Sequence, residues 1–84
     1  MKKVTREQIA KWTDSKNYKE RFKAEYYLLA ERQSKLSVMI EKYEKEELEF
    51  VPDCPIELLT QQRDCMREYQ NILEKRAEFE NINL

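Results

Sequence analysis

The chain contains no glycine and no histidine, and only two cysteines and two prolines. Without glycine there is no Gly-rich phosphate loop and no strained nucleophile elbow. Without histidine the commonest general base and the commonest zinc ligand are both missing. Cys54 and Cys65 stand alone and far apart in sequence, so they suggest neither a zinc site nor a disulfide framework and read as reduced thiols. An enzyme is not expected, although chemistry by carboxylates alone stays formally open, and no cofactor or metal is implied. There is also no apolar run long enough to cross a bilayer, and Met1-Lys2-Lys3-Val4-Thr5 leads into charged residues and not into an apolar leader core. A cytosolic protein with no membrane partner is the expectation.

What is present is a helix-rich chain of 84 residues, 40% hydrophobic and 39% charged, read as a single helical domain over 1–84. A core of that size seldom supplies more than about 3–5 kcal/mol, which makes self-association an expectation before any motif is considered. The net charge of −1 conceals an asymmetry. Residues 1–23 hold eight basic side chains (Lys2, Lys3, Arg6, Lys11, Lys16, Lys19, Arg21, Lys23) against three acidic ones, so the remainder is acidic. A basic end attracts anions such as nucleotides or an acidic partner; it is equally accounted for as a solvated terminus.

Thr5 followed by Gln8 matches a capping box, and Ile9 with Trp12 offers a small apolar face, which predicts a short helix over about 5–13. A second box, Asn17 with Glu20, opens a longer helix over about 18–46. Along it Phe22, Tyr26, Leu29, Gln33, Leu36, Ile40 and Tyr43 form a heptad stripe, with Glu31–Lys35 and Glu41–Lys45 as favourable pairs one turn apart. The stretch Val51-Pro52-Asp53-Cys54-Pro55 holds both prolines and marks a loop over about 47–54. Pro55 then starts the last helix, about 55–80, as its first residue or as its second after an Asp53 cap, and 81–84 reads as a frayed tail.

The last helix carries two stripes. Leu59, Gln62, Met66, Tyr69, Leu73 and Arg76 form a heptad seam with polar and aromatic members, while Leu58, Cys65, Ile72 and Phe79 recur every seven residues one position away. That face is too wide for one partner helix. The pattern predicts an all-α fold in which a short N-terminal helix accompanies an antiparallel hairpin of two long helices. It assigns Leu58, Cys65, Ile72 and Phe79 to a homo-oligomer interface, dimer or higher, unless the short helix folds back over them.

Polar groups at seam positions must pair, lie at a margin or meet a ligand, because burying them unpaired costs roughly 1–3 kcal/mol. Gln33, Gln62 and Arg76 are in that position, with pairing between helices as the ordinary explanation. Lys19, Lys23 and Tyr27 share one stripe beside Phe22 and Tyr26, an arrangement of ammonium groups and phenol rings that suits a nucleotide as well as it suits a solvated face. Arg63 and Arg67 repel one another mildly at one turn's spacing, which an anion or the neighbouring Asp64 and Glu68 would offset.

The segments Leu28-Leu29-Ala30-Glu31-Arg32 and Cys54-Pro55-Ile56-Glu57-Leu58-Leu59, with Gln62, Met66, Tyr69, Ile72, Leu73 and Arg76 at their spacings, resemble a family of small proteins from phages of gut bacteria, crAss-like phages among them. That family in turn is similar to the helical hairpin of anti-CBASS and anti-Thoeris sponge proteins, which sequester cyclic nucleotide signals. The resemblance covers roughly residues 18–80, rests on Leu29-Ala30-Glu31-Arg32 with Gln62 and Met66, and adds Arg32 to the candidate site. The chain departs from the sponge pattern at Tyr27, where a ligand-contacting lysine is expected, at Asp64 in place of a glycine, and at Gln70 in place of an arginine.

Taken together, these readings predict a phage anti-defence protein acting in the cytoplasm of the infected host bacterium. It would bind a cyclic dinucleotide or cyclic ADP-ribose type signal without cleaving it, through Lys19, Lys23, Tyr26, Tyr27, Arg32, Gln62, Arg63, Arg67, Tyr69 and Arg76. The rival reading is a phage protein-interaction module whose second apolar stripe docks a partner helix. Nucleic acid is disfavoured as a partner, because the acidic remainder of the chain would repel a long polyanion.

Overall fold

The computed structural model describes residues 4–84, so Lys2 and Lys3 of the basic N-terminal group lie outside the described residues. Three helices, α1 (Arg6–Thr13), α2 (Tyr18–Glu44) and α3 (Ile56–Glu80), account for the ordered structure, with no strand among the described residues. No described helix is long and apolar enough to cross a membrane.

Local chemistry sets the ends of each helix. Thr5 accepts the Gln8 N–H at 3.2 Å, and Asn17 accepts the Lys19 N–H at 3.0 Å, which satisfies donors that have no partner inside the helix. At the start of α2, Glu20 does not turn back onto the Asn17 amide as a capping box requires. Ser15 intervenes: its Oγ accepts the Asn17 N–H and donates to the Glu20 carboxylate, while its carbonyl accepts from Arg21 at 2.7 Å. The α1–α2 connection is thereby tied down by a residue that periodicity does not single out. Pro55 is itself the cap of α3 and not its first residue, and it supplies no side-chain bond, only a carbonyl that accepts from Leu58 and Leu59.

The lack of glycine shows at the other ends. Helix α2 closes with Glu46 in the left-handed region at φ 58°, the Glu47 N–H reaching the Lys42 carbonyl at 2.8 Å. Helix α3 closes with Asn81 at φ 57° and Ile82 N–H on Ala77 O at 2.8 Å. Glycine is the usual occupant of such positions; asparagine tolerates the conformation, whereas glutamate adopts it at a cost of about 1 kcal/mol. The second closure also corrects the frayed tail: Ile82 is buried on Ala77 and Leu84 packs against the same cluster.

Helix α2 lies between the other two. Its Phe22 and Leu29 join Leu73, Ala77 and Ile82 in one core, with Tyr26 and Met66 at the edge, while its Ala24 joins Ile9 and Trp12 in another, with Val4 and Tyr27. At roughly 100° per residue, Phe22 and Ala24 point to opposite sides of α2. Accordingly α1 and α3 both contact α2 and do not contact each other. The short helix therefore does not fold back over the spare face of α3. The pairing expected between helices is found within α2 instead for Gln33, which donates to the buried Ser37 at 2.7 Å, while Gln62 is exposed. Of the two expected pairs on α2, Glu31–Lys35 forms at 3.0 Å; among the described residues Glu41 and Lys45 make no ion pair, the Lys45 amide instead closing onto the Glu41 carbonyl.

The seam of α3 is displaced from the predicted one. Leu73 is 1% exposed and Ala77 is buried, with Met66 and Gln70 half-buried, whereas Tyr69 and Arg76 are exposed. The packed line thus runs Leu59, Arg63, Met66, Gln70, Leu73, Ala77, keeping every second member of the predicted stripe and moving the others by one residue. Ala77 is the reason at the C-terminal end: its small side chain fits against Phe22 where an arginine does not, and Arg76 lies over the edge with Cζ 5.0 Å from the Phe22 ring centre.

Candidate functional site

The predicted site residues fall into separate places, ordered by the two faces of α2. Between α2 and α3, successive residues of α2 meet successively earlier residues of α3. Lys19 Nζ donates to the Asn81 carbonyl at 3.4 Å, and the Tyr26 hydroxyl donates to Glu74 at 2.6 Å while accepting from Gln70 at 3.4 Å. Burial, then the Glu74 hydrogen bond, raises the Tyr26 pKa and keeps the phenol protonated. Arg76 makes a double contact to Glu80, at 2.7 and 3.3 Å, which raises its own pKa further. Each of these three groups already has a protein partner.

Lys23 and Tyr27 turn toward α1. Lys23 Nζ sits 5.6 Å from the centre of the Trp12 ring, and the Tyr27 ring lies 6.0 Å from Trp12 and edge-on to Tyr26 at 5.2 Å. The phenol expected to offer a stacking face is therefore part of an aromatic cluster, and Trp12 is the residue sequence reasoning had left as mere core.

On the N-terminal half of α3, Arg63 is only 18% exposed and pairs with Asp64 at 3.3 Å, while Arg67 stands exposed. Gln62 edges a shallow groove with Cys54, Leu58 and Cys65. Tyr69 borders a wider open one of about 760 Å³ whose charged members are Glu57, Asp64 and Glu68. Within one copy that surface is acidic and does not gather the basic residues around it. The displaced stripe is open to solvent throughout: Leu58, Cys65, Ile72 and Phe79 are all exposed, Phe79 at 89%. Both thiols are free.

Arg32 occupies a fourth place, a cleft of about 380 Å³ where α1 crosses α2, with Ile9, Ala10 and Leu28 as its apolar lining and Arg6, Glu31 and Lys35 beside it. No group of three potential ligands for a metal ion occurs among the described residues.

Against known families, residues 16–79 match Sequestin, a span that takes in all of α2, the loop and nearly all of α3. The chain belongs to the Sequestin family. That name points to binding and sequestration of a ligand. No curated protein and no solved structure matches the chain. In Sequestin terms the matched segment carries every predicted site residue, while α1, which supplies Arg6 and Trp12, lies outside it. Sequence reasoning found the Glu31–Lys35 pair but not Arg6, which meets Glu31 across 25 positions where no local spacing reports a contact.

Proposed function

We propose that this chain is a phage-encoded sponge: a helical hairpin that assembles with copies of itself in the cytoplasm of the infected bacterium and holds a cyclic dinucleotide or cyclic ADP-ribose type signal without cleaving it. The observation that carries this reading is the Sequestin match over residues 16–79. Two features of the molecule support it. Arg32 and Arg67 are exposed cations with no carboxylate partner among the described residues. Gln62, Tyr69 and Arg76 lie on the shoulder of α3 between its packed seam and its exposed stripe, so pairing of that stripe between two copies sets two such shoulders beside one another.

A sponge lowers free signal by stoichiometric capture, so slow release is what its site must provide. Lys19, Lys23, Tyr26, Tyr27, Arg32, Gln62, Arg63, Arg67, Tyr69 and Arg76 are the residues proposed to serve it, with Leu58, Cys65, Ile72 and Phe79 joining the copies. Calorimetry against cyclic dinucleotides and cyclic ADP-ribose, with native mass spectrometry of protein from signal-producing cells, tests both parts. Saturable heat and an assembly mass above one chain are expected; no heat and no thermal shift at millimolar nucleotide would sink the sponge.

The exposed stripe favours a second reading, a module that docks a partner's helix. Replacing Ile72 and Phe79 by glutamate then abolishes partner capture in a protein that never binds nucleotide.

A further inference from the structure

We propose that the cleft between α1 and α2 seats a phosphate group of a small cyclic nucleotide, with Arg32, Arg6 and Lys35 as its donors and Leu28, Ile9 and Ala10 as the surface for its apolar part; this rests on the nucleotide reading above and deepens it. Unlike the wider groove on α3, whose described lining comes from that helix alone, this cleft is built from two elements. Three cations and one carboxylate line it, a local excess of positive charge in a molecule whose net charge is −1.

The cations are held at the cleft by Glu31. One oxygen of that carboxylate, Oε1, accepts from both Arg6 Nη2 and Lys35 Nζ, the latter at 3.0 Å, so groups from two helices converge on a single atom. The bonds to Glu31 use one of five N–H donors on Arg6 and one of three on Lys35. The others remain for a second anion, and Arg32, one position along from Glu31, has no carboxylate of its own among the described residues. A phosphate offers the planar guanidinium groups a paired acceptor edge that water does not, and the two phosphate charges of a cyclic dinucleotide or of the cyclic ADP-ribose pyrophosphate outnumber the one on Glu31. Leu28 is exposed beside these groups, which gives a base or ribose an apolar contact next to the phosphate.

Arg6, Ile9 and Ala10 of this cleft come from α1, outside the segment matched to Sequestin. The shared family core and the phosphate cleft are therefore separable by mutation. The test is a backbone-amide NMR titration of the full chain with cyclic ADP-ribose, with cyclic di-GMP and, as a phosphate-only probe, with inorganic pyrophosphate. Saturable shifts at Arg6, Ala10, Leu28, Arg32 and Lys35 are expected with at least one nucleotide. Arg6→Glu combined with Lys35→Glu, neither of them among the residues proposed above for the sponge site, weakens that binding by about tenfold or more, as loss of two charge-assisted contacts implies. Shifts confined to the α2–α3 face, with the double variant binding as the parent does, overturn the cleft and leave the sponge standing. No saturable shift with either nucleotide overturns both, and pyrophosphate binding alone at the cleft overturns the nucleotide assignment while identifying an adventitious ion only.

Discussion

Helix α2 is held on two sides and helix α3 on one. Both are long, charged and without glycine, yet α2 gives Phe22 and Leu29 to one core and Ala24 to another, while α3 buries Leu73 and Ala77 and leaves Ile72 and Phe79 in water. The difference teaches that apolar content does not tell how many neighbours a helix has within its own chain. α1 supplies the second neighbour for α2; the apolar stripe of α3 has none among the described residues, and it is the surface through which we propose that copies meet.

The sharpest way to break this comparison is to truncate one residue on each side of α3. Leu73→Ala opens a cavity in the seam and costs about 2–5 kcal/mol by chemical denaturation. Phe79→Ala leaves monomer stability within about 0.5 kcal/mol, because its ring is already in water. If both cost the same, the two faces are not different in kind. Next in size, Trp12→Ala frees α1 from α2 and removes hydrogen-exchange protection in residues 6–13 while α2–α3 protection is retained; loss of protection throughout means that the two cores are one cooperative unit. Ile72→Glu with Phe79→Glu reduces the assembly to a single chain in native mass spectrometry, and an unchanged mass removes the stripe as the interface.

Smaller effects sharpen the picture at the helix ends and in the cleft. Glu46→Gly relieves a left-handed glutamate and stabilises the chain by about 0.5–1 kcal/mol, read as a higher denaturation midpoint. Hydrogen bonds from Lys35 and then Arg6 hold the Glu31 carboxyl below its ordinary value of 4.5. A depressed carboxylate stabilises the fold above its unfolded pKa and loses that contribution as pH falls through the folded one. The parent should therefore exceed Glu31→Gln in stability at neutral pH, by a small and salt-sensitive margin, and the two should converge in acid. A gap that persists at low pH assigns the effect to something other than the charge.

Much of the architecture could be read before any fold was known. Thr5 and Asn17 act as caps, Phe22, Leu29 and Ile40 are buried, and Gln33 has the polar partner its seam position required. The seam of α3 was read one residue off at Gln62, Tyr69 and Arg76, because the neighbouring line that packs instead, Arg63, Gln70 and Ala77, has no large apolar side chain to mark it in the sequence. The candidate site was less legible. Lys23 and Tyr27 were marked, but not the Trp12 ring against which they pack, and Arg32 was marked without Arg6 and Lys35 beside it.

The amino-acid sequence by itself determined the helices, most of their caps and an apolar stripe left over on α3, since these depend on interactions among residues a turn apart. Only the tertiary structure decided that α1 lies on the far side of α2 from α3 and leaves that stripe uncovered, and that Arg6, Glu31 and Lys35 meet at one cleft. The reason is physical: such contacts join residues up to 25 positions apart, and which face of α2 receives α1 depends on how Trp12 and Ile9 pack against Ala24, a choice that no spacing within either helix encodes.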